Sequence, residues 1–166
     1  MTEFIRPIPA LLILFIIVAA SDVLSVEVSD LPSVEASVPF FYYNNLEAAK
    51  EWYEHKMGWR KVTDYGWFAV FKVTPTSYLG LIGTEEGGLP PTAKKNGLLS
   101  ISTNDLGAWY ARLARIPNIK FLNGIKTAAR GLVEEFKVED PEGYVIEFFR
   151  WRAGPETEHP ENPFEK

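Results

Sequence analysis

Few of the 166 residues could carry covalent or metal chemistry. There is no cysteine, which removes disulfides, Cys-ligated zinc, iron–sulfur clusters and thiol catalysis. The two histidines are His55, inside a helical pattern, and His159, in a Pro- and Glu-rich tail. That leaves little room for a His-based metal site or a catalytic triad. Glu134-Glu135 looks like a carboxylate pair, but neighbours on a strand face opposite ways and cannot act on one atom, so solvated edge charge is the expectation. Arg130 stands at a strand entry, where it serves as a solvated or salt-bridged cation or reaches a ligand anion. Gly87-Gly88 has no phosphate-cradling motif around it and reads as a linker.

The composition is that of an ordinary folded domain: 46% hydrophobic, 23% charged and rich in aromatics at 14%. The net charge of −5 is uneven, with −4 over residues 21–37, −3 over 153–166 and +2 over 38–152. A nearly neutral body with acidic ends offers no footprint for nucleic acid.

Residues 7–20, PIPALLILFIIVAA, hold no charge. The run is shorter than the ~20 residues of a membrane-spanning helix and fits the apolar region of a signal peptide. Arg6 supplies a weak basic start and Val18-Ala19-Ala20 small residues for cleavage. A cleaved signal is expected; an uncleaved membrane anchor and a buried core helix are the alternatives. Either of the first two exports residues 38–152 to the periplasm or the extracellular space, with membrane contact only through an uncleaved 1–20. Residues 21–37 read as an acidic linker and 153–166 as an acidic, Pro-rich tail.

The body repeats itself. Asn45-Leu46-Glu47-Ala48 matches Asp105-Leu106-Gly107-Ala108 at an offset of 60, each after an apolar run. Phe71-Lys72-Val73 matches Phe136-Lys137-Val138, and Ser77-Tyr78-Leu79 matches Gly143-Tyr144-Val145 at an offset of 66. Each half reads strand, helix, three strands, giving modules at 38–84 and 96–152. The first helix is capped by Asn44 or Asn45 and ended at Gly58; the second is capped by Asn104 or Asp105 and stopped before Pro117. Asp140-Pro141-Glu142-Gly143 is a strong turn signal.

The doubled βαβββ order, with Glu139-Asp140-Pro141-Glu142-Gly143-Tyr144-Val145-Ile146-Glu147-Phe148, resembles the vicinal oxygen chelate superfamily of glyoxalases, bleomycin-resistance proteins and extradiol dioxygenases. Asn45–Tyr53 and Met57-Gly58-Trp59 resemble that family's first helix and its end. The resemblance implies an α+β fold whose two modules pair into a curved mixed sheet around an open cup.

In metal-dependent relatives, the resemblance implies, a divalent ion sits in the cup on ligands from the first and last strands of each module, often two His and a Glu. Matched residue by residue, those positions fall on Val38, Leu81, Leu98 and Glu147. Three are aliphatic, whereas such sites need about three protein ligands. The expectation is therefore no metal and no cofactor. By strand alternation Val38, Phe40, Tyr42, Leu79, Leu81, Leu98, Ser100, Ser102, Val145, Glu147 and Phe149 line the cup, with Trp67 favoured over Phe68 from the central strand.

The expected function is an exported, metal-free protein that binds a small aromatic or amphipathic molecule in an apolar cup, with Glu147 available to a cationic ligand. One alternative is a glyoxalase-like lyase, isomerase or dioxygenase that uses Glu147 as catalytic base, needing a raised pKa, or as metal ligand. Another is an accessory or interaction protein. The ten-residue joint at 87–96 permits a self-contained chain or two chains that exchange modules, and a homodimer is the expectation.

Overall fold

The computed structural model describes residues 32–84 and 88–152. The apolar segment 7–20, most of the linker and the tail lie outside the described residues. Met1–Val34 and Glu35–Lys166 are separate units, and the fold is that of the second. No helix among the described residues is long and apolar enough to cross a membrane.

The first module runs β1 (Phe40–Tyr43), α1 (Leu46–Glu51), a wider π-helical turn (Trp52–Met57), β2 (Arg60–Asp64), β3 (Phe68–Lys72) and β4 (Tyr78–Gly83). The second runs β5 (Leu98–Ser102), α2 (Leu106–Ala114), β6 (Lys120–Ala128), β7 (Val133–Glu139) and β8 (Val145–Trp151). Each is a four-stranded mixed sheet, ordered β1-β4-β3-β2 and β5-β8-β7-β6. The first strand of each module pairs parallel with the last, and the remaining pairs are antiparallel. This is the α+β doubling expected from the repeat. β6 runs nine residues, and register shifts at Phe121–Lys126 carry it along β7.

Local chemistry sets the helix ends. The Asn45 side chain accepts the Ala48 N–H at 3.0 Å, closing the first turn of α1. Gly58, at φ 74°, ends the π-helical turn in the left-handed region that glycine enters without strain. Alternation then sorts the strands. Phe41, Tyr43, Ala69, Phe71, Leu79 and Leu81 are buried beneath α1 with Ala49, Tyr53 and Met57. Ile146, Phe148, Phe136 and Val138 are buried beneath α2, where Trp109 stacks on Phe148 at 4.9 Å.

Leu81 corrects an expectation. It pairs with Phe41 and Ala69 and is fully buried on the helix side, not the open side, and Leu79 lies with it. The repeat offset in the last strands is 67, one more than the matched letters imply. Val73 N–H donates to Ser77 O in the β3–β4 turn, as Asp140 N–H donates to Tyr144 O in the β7–β8 turn. Tyr144 thus corresponds to Ser77, not Tyr78, and Glu147 corresponds to Gly80.

The β7–β8 turn fastens the modules together. The buried Asp140 carboxylate accepts the Tyr43 hydroxyl at 2.6 Å and the Tyr53 hydroxyl at 3.1 Å, with the N–H groups of Glu142 and Tyr144 at 3.0 and 2.9 Å. Burial pushes both phenols well above the usual tyrosine range, so they remain neutral donors. Burial also raises Asp140, against the opposing pull of its four donors. Glu142 accepts the Asn45 N–H at 2.6 Å and Asn44 Nδ2 at 3.0 Å, at the mouth of α1. The Tyr144 ring lies flat on Phe41, centroids 4.0 Å apart and 4° from parallel, and its hydroxyl meets the Tyr42 backbone. A second tie joins the helix ends: Arg112 donates to Lys56 O at 2.7 Å, and Lys56 to Pro117 O at 3.0 Å.

Two predictions follow from these contacts. Tyr144→Ala removes the stacked ring from the junction and should lower unfolding stability by about 3 kcal/mol in denaturant melts. A loss below about 1 kcal/mol would mean that the stack carries little of the junction. The second concerns Asp64, held down to about 2 first by hydrogen bonding to buried Lys50 at 2.8 Å, which outweighs burial, with Gly66 N–H and Lys61 adding to it. A carboxyl with a lowered folded pKa stabilises above its ordinary 3.8, and that stability is lost as pH falls towards about 2. Asp140, raised, acts in the opposite sense above 3.8. Asp64→Asn should therefore lose less stability than the parent between pH 4 and 2, in acid denaturation monitored by circular dichroism.

Candidate functional site

Two places bring the sequence-nominated residues together. The first is the open face of the second sheet. Ser100 pairs with Glu147, Glu147 with Lys137, and Lys126 with Glu135, across β5, β8, β7 and β6. Alternation puts all five side chains on one face. Ser100 Oγ donates to Glu147 Oε2. The Lys137 ammonium lies 3.0 Å from Glu147 and 2.8 Å from Glu135.

The charges settle one another. Burial works against the Glu147 anion, but hydrogen bonds from Ser100 and Lys137, with Glu135 alongside, outweigh it and hold its pKa below the usual glutamate range. Partial burial works against the Lys137 cation, and Glu135 and Glu147 outweigh it, raising its pKa. A carboxylate held low and already paired is a weak base, the reverse of what base catalysis by Glu147 needs. Its partner is Lys137; Arg150 pairs with Glu134 at 2.6 Å, and Arg130 sits at positive φ in a short 3₁₀ turn. Glu135 is buried beside Glu147 and is not solvated edge charge.

In the first module the corresponding face is aromatic. Gly80 stands where Glu147 stands in the second, and the Phe40 ring lies in the space a Cβ there would fill. Phe68, not Trp67, is the strand residue on this face, since it pairs with Ile82 while Phe40 pairs with Gly80. Trp67 precedes β3, is 45% exposed and packs its ring 4.5 Å from Phe68. Tyr42 is half-buried, Val38 precedes β1, and Leu98 is half-exposed on the face of Val145.

The positions of a divalent ion can now be tested against the correct register. They are Val38, Gly80, Leu98 and Glu147: one donor, committed to an ammonium and a hydroxyl. No group of three His, Cys, Asp or Glu is placed to hold an ion among the described residues. The donor set does not fit a catalytic metal.

The second place is a cavity of about 810 Å³ along the free edge of β5. Leu99 to Asn104 and Phe149 form one wall; the β3–β4 turn from Val73 to Tyr78, with Ser37 and Pro39 ahead of β1, forms the other. Ser100, Ser102 and Phe149 are the sequence-nominated residues that reach it. Among the described residues no charged side chain lines it. Hydroxyls of Ser37, Thr74, Ser77, Ser102 and Thr103 share the walls with Pro39, Val73, Leu99 and Ile101. The turn residues carry no sequence signal that nominates them, since alternation sorts strand faces and not turns.

A family model, the Glyoxalase/Bleomycin resistance protein/Dioxygenase superfamily, matches residues 36–148. The chain belongs to this superfamily. Solved structures of the superfamily's build bear this out at the level of fold. A glyoxalase/bleomycin resistance protein/dioxygenase from Nocardioides superposes with TM-score 0.61 at 20% identity, over 81% of this chain and 92% of that one. A lactoylglutathione lyase from Agrobacterium tumefaciens gives 0.56 at 19%, over 72% and 94%. TioX from Micromonospora sp. ML1 gives 0.56 at 17%, over 70% and 98%. No curated protein matches the chain.

Two measurements check the charge ladder. In Lys137→Met, the Glu147 carboxyl should titrate at a higher pH than in the parent by carbon-detected NMR; an unchanged titration contradicts the pairing. Elemental analysis of the full chain purified without chelator should find zinc, nickel, iron and manganese far below one per chain. A stoichiometric ion contradicts the ligand argument.

Proposed function

We propose that the chain is a binding protein for a small neutral organic molecule, held in the cavity beside β5 without a metal. One observation carries the reading: a cavity of about 810 Å³ whose walls, among the described residues, alternate hydroxyl and apolar groups and include no charged side chain. Its size falls within the range of about 300–1,000 Å³ typical of small-molecule sites. A charged ligand would lose its hydration there and gain no counter-ion. A neutral molecule would bury apolar surface and still find hydrogen-bond partners in the seryl and threonyl groups.

The metal-enzyme reading, which the name of the Agrobacterium structure would suggest, gains no support from the donor set. Nor does base catalysis by Glu147, whose anion is stabilised and engaged. Glu147 also stands outside the cavity lining, so a cationic ligand is not part of the proposal. The apolar run 7–20 favours action outside the cytoplasm. Deleting residues 1–20 should then retain the protein in the cytoplasm on cell fractionation.

The binding test is an NMR screen of matched neutral, cationic and anionic fragments against the full chain. Neutral fragments should dominate and shift the amides of Leu99–Asn104 and Val73–Tyr78. Ser102→Phe, which fills the cavity, should weaken them about tenfold or more, the scale of one lost buried side-chain contact. Binders that require a positive charge and map to Glu147 would refute the proposal.

A further inference from the structure

We infer that the ligand is a planar hydroxylated ring, a phenol in the simplest case, seated where the other module junction seats Tyr144. This rests on the cavity reading proposed above and names its ligand class. The two junctions are internal counterparts. β1 and β5 correspond at an offset of 60, and the β3–β4 and β7–β8 turns at 67. At one junction the β7–β8 turn meets β1; at the other the β3–β4 turn meets β5, and between them lies the cavity.

Comparing the two residue by residue shows what the open junction lacks. Ser77 replaces Tyr144, and Val73 replaces Asp140. Thr103 replaces Tyr43, and Leu113 replaces Tyr53. The ring, the carboxylate and both phenols are gone together, so no buried charge is left unpaired. Two parts of the Tyr144 seat remain. Ile101 replaces Phe41 as the apolar surface and borders the cavity. Ser102 replaces Tyr42, whose backbone N–H donates to the Tyr144 hydroxyl at 2.9 Å and whose carbonyl accepts from it at 3.3 Å. Thr103 N–H donates to Phe149 O, across to β8. By alternation, the Ser102 N–H and C=O point the other way, off the sheet edge towards the cavity.

The open junction thus presents an apolar platform, a backbone donor–acceptor pair and empty space where its counterpart holds a phenol. A free phenol completes the arrangement: ring on Ile101, hydroxyl on the Ser102 backbone. The uncharged lining favours the neutral phenol over a carboxylate of the same shape. The volume leaves room for further substituents on the ring.

The test titrates the full chain with p-cresol and with 4-methylcyclohexanol, its saturated analogue, followed by amide and methyl NMR. p-Cresol should bind about three- to tenfold more tightly, the advantage of ring contacts over burial alone. The Ser102 amide and Ile101 methyls should move most. Ser77→Tyr, which rebuilds the closed junction's ring, should weaken both probes about tenfold or more while raising the melting temperature. Ile101→Ala, should the tyrosine fail to pack, is expected to erase the preference between the probes. If 4-methylcyclohexanol binds in the cavity as tightly as p-cresol, the ring inference fails and the cavity proposal stands. If neither probe moves a cavity residue, both fail. Strongest shifts at Tyr65, Trp67 and Phe68 would overturn the inference alone.

Discussion

The arrangement of this molecule depends on one buried carboxylate. Asp140 sits at the meeting of two modules and is satisfied by two tyrosine hydroxyls from the first and two backbone amides of its own turn. A buried charge without such partners would cost several kcal/mol. With them, the turn is held to β1 and α1 in one geometry. The flat stack of Tyr144 on Phe41 then excludes water from the same place.

Duplication makes that contact informative. A chain built from two equivalent modules has two equivalent junctions to fill. Here one is filled by acids and phenols and the other by serine, threonine and valine. The small residues leave space because nothing larger stands opposite them. The cavity is therefore the unfilled counterpart of a structural contact, and its position follows from the same topology. Meanwhile the sheet face that could have held an ion is neutralised from within, by Lys137 between Glu135 and Glu147.

Much of this was legible in the sequence, and the illegible part has a definite cause. Asn45, Gly58 and the Asp140–Gly143 turn mark element ends through local chemistry, so the doubled βαβββ order and the family could be read directly. The burial of Phe41, Tyr43, Ile146 and Phe148 under the helices followed from alternation. Placement across strands was harder. Matching Tyr78 to Tyr144 put the last strands one residue out of step, and a single step exchanges the two faces of a strand. Leu81 was thereby assigned to the open face in place of Gly80. The Asp140 partners lie 97 and 87 residues away in sequence, and no local pattern announces them. The Lys137 bridge was hidden for the same reason, since it depends on β7–β8 register.

The central claim is that the two junctions differ, one closed and one open. Amide hydrogen exchange tests it without any ligand. The Tyr42 N–H is covered by the Tyr144 hydroxyl, whereas the Ser102 N–H faces the cavity. The account predicts exchange at Ser102 at least about a hundredfold faster than at Tyr42, as for an exposed edge against a buried contact. Equal protection at the two amides would contradict it.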